Sequence, residues 1–166
     1  VAGEVAEGLI AHGFTTARYL EEVSLPAVAI GLQRAGKQRK DFDISSPIIV
    51  VSGATEEAFE QNKQAVRSQL AFYASTPAYR PVLELHGWGD LQPVLNSLSK
   101  QGQWQSMGEL ISEEMLQAFA VVAESPADIP GLLKAKYGHL IDTWQCTYET
   151  GNREEQRALV EAVQAR

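Results

Sequence analysis

The run from Ile44 to Val51 constrains this chain more than any other stretch. It ends in four branched apolar residues in a row, Ile48, Ile49, Val50 and Val51. A strand with one wet face alternates apolar and polar residues. A continuous apolar run suits a strand covered on both faces, as in a parallel sheet. Ser52 and Gly53 end the run. Thr55 then offers a side-chain cap to a helix whose first turn carries Glu56 and Glu57, the favourable sign for an N-terminus. Phe59, Val66, Leu70 and Tyr73 mark the buried stripe of that helix.

The same strand-to-helix order recurs. Ala2, Val5 and Ala6 fall at helical spacing and stop at Gly8, and Leu9, Ile10 and Ala11 form a short apolar run that reads as a buried strand. Thr15 or Thr16 can cap the next helix, which spans 17–35 with Leu20, Val23, Ala27 and Ile30 as its stripe and a kink or restart at Pro26. Gly36 closes it, and Lys37, Arg39 and Lys40 follow at its negative end. Phe119 to Ala123 is a short apolar run. Ser125 and Pro126 then give an N-cap and a first-turn proline for a helix to about Tyr137. His139 to Tyr148 reads as a strand, and Gly151 and Asn152 open a last amphipathic helix with Leu159, Ala162 and Val163 inward.

Strands alternating with helices mean an α/β fold built from βα units around a parallel sheet. Residues 76–117 break that rhythm with Pro77, Pro81, Gly87, Gly89, Pro93, Gly102 and Gly108. They form a long excursion with structure of its own, the kind of segment that serves as a lid or binding loop. Three strands are convincing, a thin core for 166 residues. With a start at Val1 inside a helix, the sequence is expected to be a single partial domain, a portion of something larger.

Composition narrows the function classes. Apolar residues at 45% and charged residues at 21% exclude disorder and a collagen-like fibre. A net charge of −7 argues against a general nucleic-acid or anionic-membrane binder. Cys146 is the single cysteine, so there is no internal disulfide framework and no cysteine-rich zinc site, and a reducing, cytoplasmic location is expected. No apolar run approaches the ~20 residues of a membrane span. His12, His86 and His139 lack metal-ligand spacing, so no metal site is expected, and no phosphate loop, dinucleotide fingerprint or nucleophile elbow is present.

Candidate site residues follow from position. In parallel α/β barrels the active site lies where strands end and loops begin. His12 stands at such an end, where it can exchange a proton or hydrogen-bond a ring carbonyl, or else cap the next helix or face solvent. Ser52 and Gly53 end the second strand, where a flat ligand can approach the backbone closely, or where the chain merely turns into its helix. Tyr148, Glu149 and Thr150 end the third. The stretch from Tyr79 to Asp90 reads as one irregular segment holding Tyr79, Arg80, His86 and Trp88. Arg80 can pair with an anionic group and Trp88 can stack on a flat ring; alternatively Arg80 pairs with Glu84 and Trp88 pins a packed surface loop.

These residues carry a family resemblance. VAGEVAEGLIAHGFTTARYLEEVSLPA resembles the latter part of luciferase-like flavin and deazaflavin oxidoreductases. SSPIIVVSGATEEAFEQNKQAVRSQLAFYAST looks like the family's next strand and helix, and ESPADIPGLLKAKYGHLIDTWQCTY is similar to its closing segment. AYRPVLELHGWGD resembles the subgroup that uses coenzyme F-420, the deazaflavin. The resemblance implies the C-terminal part, about three βα units, of a luciferase-like (β/α)8 TIM barrel. It implies hydride transfer between reduced F-420 or FMN and a small organic substrate, or oxygen activation in the monooxygenase branch. By that resemblance His12 is the catalytic position facing the pocket, and Tyr79, Arg80, His86 and Trp88 border the substrate entrance; Ser52 and Gly53 stay cofactor-binding candidates by their strand-end position alone. The chain alone is expected to be inactive and to associate with itself as a homo-oligomer or with its other half. The alternative is a non-enzymatic α/β module that binds a partner through its sheet edges and the Trp88/Trp104 segment.

Overall fold

The computed structural model describes residues 1–146, 148 and 153–164. Its centre is β2 (Asp43–Val51), nine residues long, with which each of the other described strands pairs in parallel. β1 (Gly8–Ile10) pairs with Asp43–Ser45, β4 (Thr143–Cys146) with Ser45–Ile48, and β3 (Ala120–Val122) with Ile49–Val51. The side chains of β2 divide between two cores, as the apolar run requires. Ile49 and Val51 enter one, while Ile44, Ile48 and Val50 enter the other. All five are buried.

The structure adds a strand to the three expected. β3 takes the edge of β2 that β1 leaves free beyond Ser45: Ser45 O and Val51 O, on the same side of the strand, accept from Ala11 and Ala123 N–H. The apolar run at Phe119–Ala123 supplies the strand, and Ala123 N–H continues the ladder to Val51 O at 2.8 Å. The strand expected over His139–Tyr148 is shorter. Leu140 and Ile141 donate back to Tyr137 O in a turn that closes α9 (Ile129–Tyr137). Pairing begins at Asp142, whose N–H donates to Ile44 O and whose carboxylate accepts from Ile44 N–H, both at 2.8 Å. The Glu149–Thr150 strand end, the Gly151–Asn152 helix start and the side chain of Cys146 lie outside what the structure describes.

The first helical rod holds a second correction. α1 (Ala2–Val5) precedes β1, and α2 (Ala17–Tyr19) runs through a π-helical turn at Leu20–Ser24 into α3 (Leu25–Arg34). The wider turn places Pro26 at the start of a new helix, where its missing N–H costs nothing. It also rotates the following side chains. Leu20 is buried as expected, but Val23, Ala27 and Ile30 face outward, and Val28, Gly31 and Leu32 form the inner face instead. Gly31 lies against Gly3 of α1, where a Cβ would meet Gly3 Cα at 3.1 Å, so the two helices cross backbone to backbone. β1 is less covered than its apolar run suggests. Ile10 is 71% exposed, and among the described residues β1 pairs with β2 alone.

The excursion is helical. After α4 (Glu56–Ala74) come a short 3-10 turn at Pro77–Tyr79, α5 (Arg80–Leu85), α6 (Leu91–Lys100), α7 (Trp104–Glu109) and α8 (Glu113–Phe119). They form a layer with α4 whose core includes Leu70, Leu83, Leu95, Met107, Leu116 and Phe119. The Tyr79–Asp90 stretch is therefore one helix with flanking turns rather than an irregular segment; Gly87, at φ 80°, supplies the left-handed residue that ends α5. α10 (Arg153–Gln164) closes the other face through Leu159, with Val163 half-buried and Ala162 exposed. No described helix is long and apolar enough to cross a membrane.

Candidate functional site at the end of the first strand

β1 ends into a loop, 11–16, that Thr16 holds close. Thr16 is buried and caps α2, its Oγ1 accepting from Tyr19 N–H at 3.0 Å. Phe14 is buried and stacks on Phe119 of α8 with centroids 4.4 Å apart. That ring pair ties the strand-end loop to the helical layer and sets His12 against it.

His12 is exposed but well ordered by its neighbours. Its Nδ1 accepts from Phe14 N–H at 3.0 Å, its Nε2 lies 3.2 Å from Tyr79 Oη, and its ring stacks on Tyr79 at 4.8 Å and meets Tyr73 edge-on at 5.2 Å. On the other side of the loop, Thr16 Oγ1 lies 2.9 Å from His86 Nε2, and the His86 ring stacks flat on Trp88, 4.6 Å apart and 9° from parallel. Because Thr16 Oγ1 already accepts from Tyr19, its own hydrogen is free to donate to His86 Nε2. Burial, and then the positive charge of Arg18, hold the His86 imidazole below its ordinary pKa, which favours that neutral acceptor.

Four of the sequence candidates therefore flank the loop after β1 as two separate pairs, His12 with Tyr79 across 67 residues of chain and His86 with Trp88, the latter pair tied to the loop through Thr16. Arg80 does not join them. Its Nε pairs with Glu84 at 2.7 Å along the exposed side of α5, an i,i+4 surface pair. Ser52 and Gly53 end β2, and no contact links them to the His12 group. Gly53 is required by packing: a Cβ there would meet Ala58 C and Phe59 Cα at 2.7 Å, the first turn of α4. The Ser52 hydroxyl is buried without a hydrogen-bond partner, while its N–H donates to Asn62 Oδ1 at 3.2 Å.

Sequence reasoning missed Phe14, Thr16 as a partner of His86, Tyr73 and Phe119. Their residue types read as core or cap, and only the packing of the excursion on the loop reveals the second role. A separate hollow of about 610 Å³ opens between the ends of β2 and β3 and α10, lined by Ala54, Ser125, Pro126, Tyr148 and Leu159 among others. Among the described residues no three His, Cys, Asp or Glu side chains gather as a metal-holding group.

Comparison with known proteins follows the same outline. The family model for luciferase-like monooxygenases matches residues 1–143. Uncharacterised proteins of Mycobacterium tuberculosis and Mycobacterium bovis are 49% identical over 143 residues, which cover 86% of this chain and 42% of theirs. The F-420-dependent tetrahydromethanopterin reductase of Methanopyrus kandleri shares the fold at a TM-score of 0.70 and 19% identity, over 96% of this chain and 44% of that one. An F-420-dependent secondary alcohol dehydrogenase, solved with an F-420–acetone adduct, superposes at 0.62 and 14% identity, over 99% and 45%. The chain thus spans less than half the length of these relatives.

Proposed function

The chain belongs to the luciferase-like monooxygenase family, and from that premise we propose that it supplies the C-terminal part of a barrel oxidoreductase. The reaction is hydride transfer between reduced coenzyme F-420 or FMN and a small organic substrate. The observation that carries this reading is that the His12–Tyr79 and His86–Trp88 pairs flank the loop at a strand's carboxyl end, where parallel barrels place their chemistry. The F-420 dependence of the two solved structures named above supports the deazaflavin over FMN.

The residues present fit such a group. A flat ring with polar edges needs apolar walls and a few directed donors. Tyr79 and Trp88, both half-buried, supply apolar faces, His12 and Tyr79 supply polar atoms at the surface, and the Ser52 hydroxyl at the end of β2 is buried without a partner. When bound, the ring of the cofactor supplies the hydride chemistry. The chain's part is to orient the reactants, with the His12–Tyr79 pair presenting a polar edge at the surface and the stacked His86–Trp88 pair walling off water. The unpaired edge of β1 and the exposed Ile10 support a barrel that continues beyond this sheet.

Titration of oxidised and reduced F-420 and FMN tests the reading, first against the 166-residue chain and then against a chain extended upstream. Binding by the extended chain and no turnover by the shorter one are the expected results. Binding by neither overturns the oxidoreductase reading, and turnover by the shorter chain overturns the partial-barrel reading.

A further inference from the structure

We propose that Tyr79, rather than His12, makes the hydrogen bond to a carbonyl oxygen of the bound small molecule, and that His12 is a positioning residue acting through it. This rests on the oxidoreductase reading above. The assignment follows from counting hydrogens. A neutral imidazole carries one N–H and one acceptor nitrogen. Phe14 N–H points at His12 Nδ1 at 3.0 Å, so Nδ1 is the acceptor and the proton belongs on Nε2. Nε2–H then donates to Tyr79 Oη at 3.2 Å. Both ring nitrogens of His12 are engaged, and neither is left to address a ligand.

Tyr79 is in the opposite position. Its oxygen accepts from His12, its own hydrogen has no acceptor among the described residues, and the pair lies at the surface where a ligand can reach it. A donor whose oxygen is itself receiving a hydrogen bond is polarised toward giving its proton to the next acceptor. The ring of Tyr79 is held on three sides by Phe14, His12 and Tyr73, at centroid distances of 5.5, 4.8 and 6.2 Å, so the hydroxyl is aimed before any ligand arrives. The acceptor it suits is a neutral carbonyl oxygen, on the substrate or on the rim of the cofactor ring.

The test uses the extended chain and the single variants Tyr79→Phe and His12→Gln with their combination. Phenylalanine keeps the stacked ring and removes the hydroxyl, and glutamine keeps a donor near the position of Nε2. Tyr79→Phe is expected to lower kcat/KM on the order of tenfold to a hundredfold. His12→Gln is expected to cost less, and the double variant no more than Tyr79→Phe alone, because His12 acts only through the hydroxyl. A weakened Kd for oxidised F-420 in Tyr79→Phe places the oxygen on the cofactor; an unchanged Kd with reduced kcat/KM places it on the substrate. Nitrogen-15 NMR of the imidazole gives a readout independent of turnover. A proton on Nε2 of His12, with a resonance that moves in Tyr79→Phe, supports the proposal, and a proton on Nδ1 overturns it. Costs that add in the double variant, in a chain that binds cofactor, overturn the Tyr79 assignment alone. Failure of the unaltered extended chain to bind F-420 or FMN overturns the oxidoreductase reading, and this proposal with it.

Discussion

Replacing Gly53 by alanine separates packing from ligand approach at the end of β2. An added Cβ would lie 2.7 Å from Ala58 C and Phe59 Cα and closer still to Phe59 N. Carbon atoms in contact need roughly 3.5 Å, so the start of α4 has to move outward by at least about 0.8 Å. The obstacle is helix backbone, which cannot swing aside as a flexible side chain can. Behind it Val66 and Leu70 are locked into the same core as Val51. Overpacking of this kind costs about 1–3 kcal/mol, and rigid backbone places this site near 3. For a domain of this size that lowers Tm by about 6–12 °C. Thermal melts followed by circular dichroism measure the shift, with F-420 binding by the extended chain measured alongside. Ser52→Ala is the control: its hydroxyl is buried without a partner, so its removal is expected to leave Tm unchanged or slightly raised. A Gly53→Ala chain that melts within about 1 °C of the parent yet loses cofactor affinity would refute the packing account and show the glycine to serve ligand approach.

Other expectations are shorter to state. Phe119→Ala removes a buried ring that stacks on Phe14 and lies near Trp88; urea unfolding is expected to show a loss of about 3–5 kcal/mol, and a loss under 1 would contradict it. Thr16→Ala removes both the α2 cap and the His86 contact, with an expected cost of about 1–2 kcal/mol by the same assay. Because His86 has its pKa lowered by burial, the unfolded chain takes up a proton before the folded one does. Its contribution to stability is thus present above the ordinary imidazole value of 6.5 and is lost as pH falls below it; denaturant midpoints from pH 7.5 down to 5 should decline, less steeply in His86→Gln. Lys136, which donates to Gln117 O and Ala120 O, is lowered by burial to about 8. The same sign makes stability rise between about pH 8 and 10.5, and a midpoint that is flat there, with Lys136→Met as reference, would count against that burial.

Local chemistry was readable from the sequence where one residue type does one job. The four apolar residues closing β2, the caps at Thr16, Thr55 and Ser125, and the closing glycine at Gly36 with φ 68° all stand where the sequence places them. The family, and with it the parallel α/β architecture, was legible from the order of those signals. The phase of α3 was not, because a π turn adds a residue that no periodicity records. β3 was not, because a three-residue strand exists only if a partner edge is free, and that depends on where β1 stops.

The site divides along the same line. Sequence alone determined that His12 stands at a strand end and that Tyr79, His86 and Trp88 lie in a segment apart from the βα rhythm. These are statements about short stretches of chain, and short-range sterics and hydrogen bonding settle them. Only the tertiary structure decided that His12 meets Tyr79 and that His86 meets Thr16. Each of these depends on how the helical layer docks on the strand ends, which is fixed by burial shared among Phe14, Leu70, Leu83 and Phe119. Burial is pooled over many residues and has no direction of its own, so the same apolar residues permit many dockings until the whole core is packed at once.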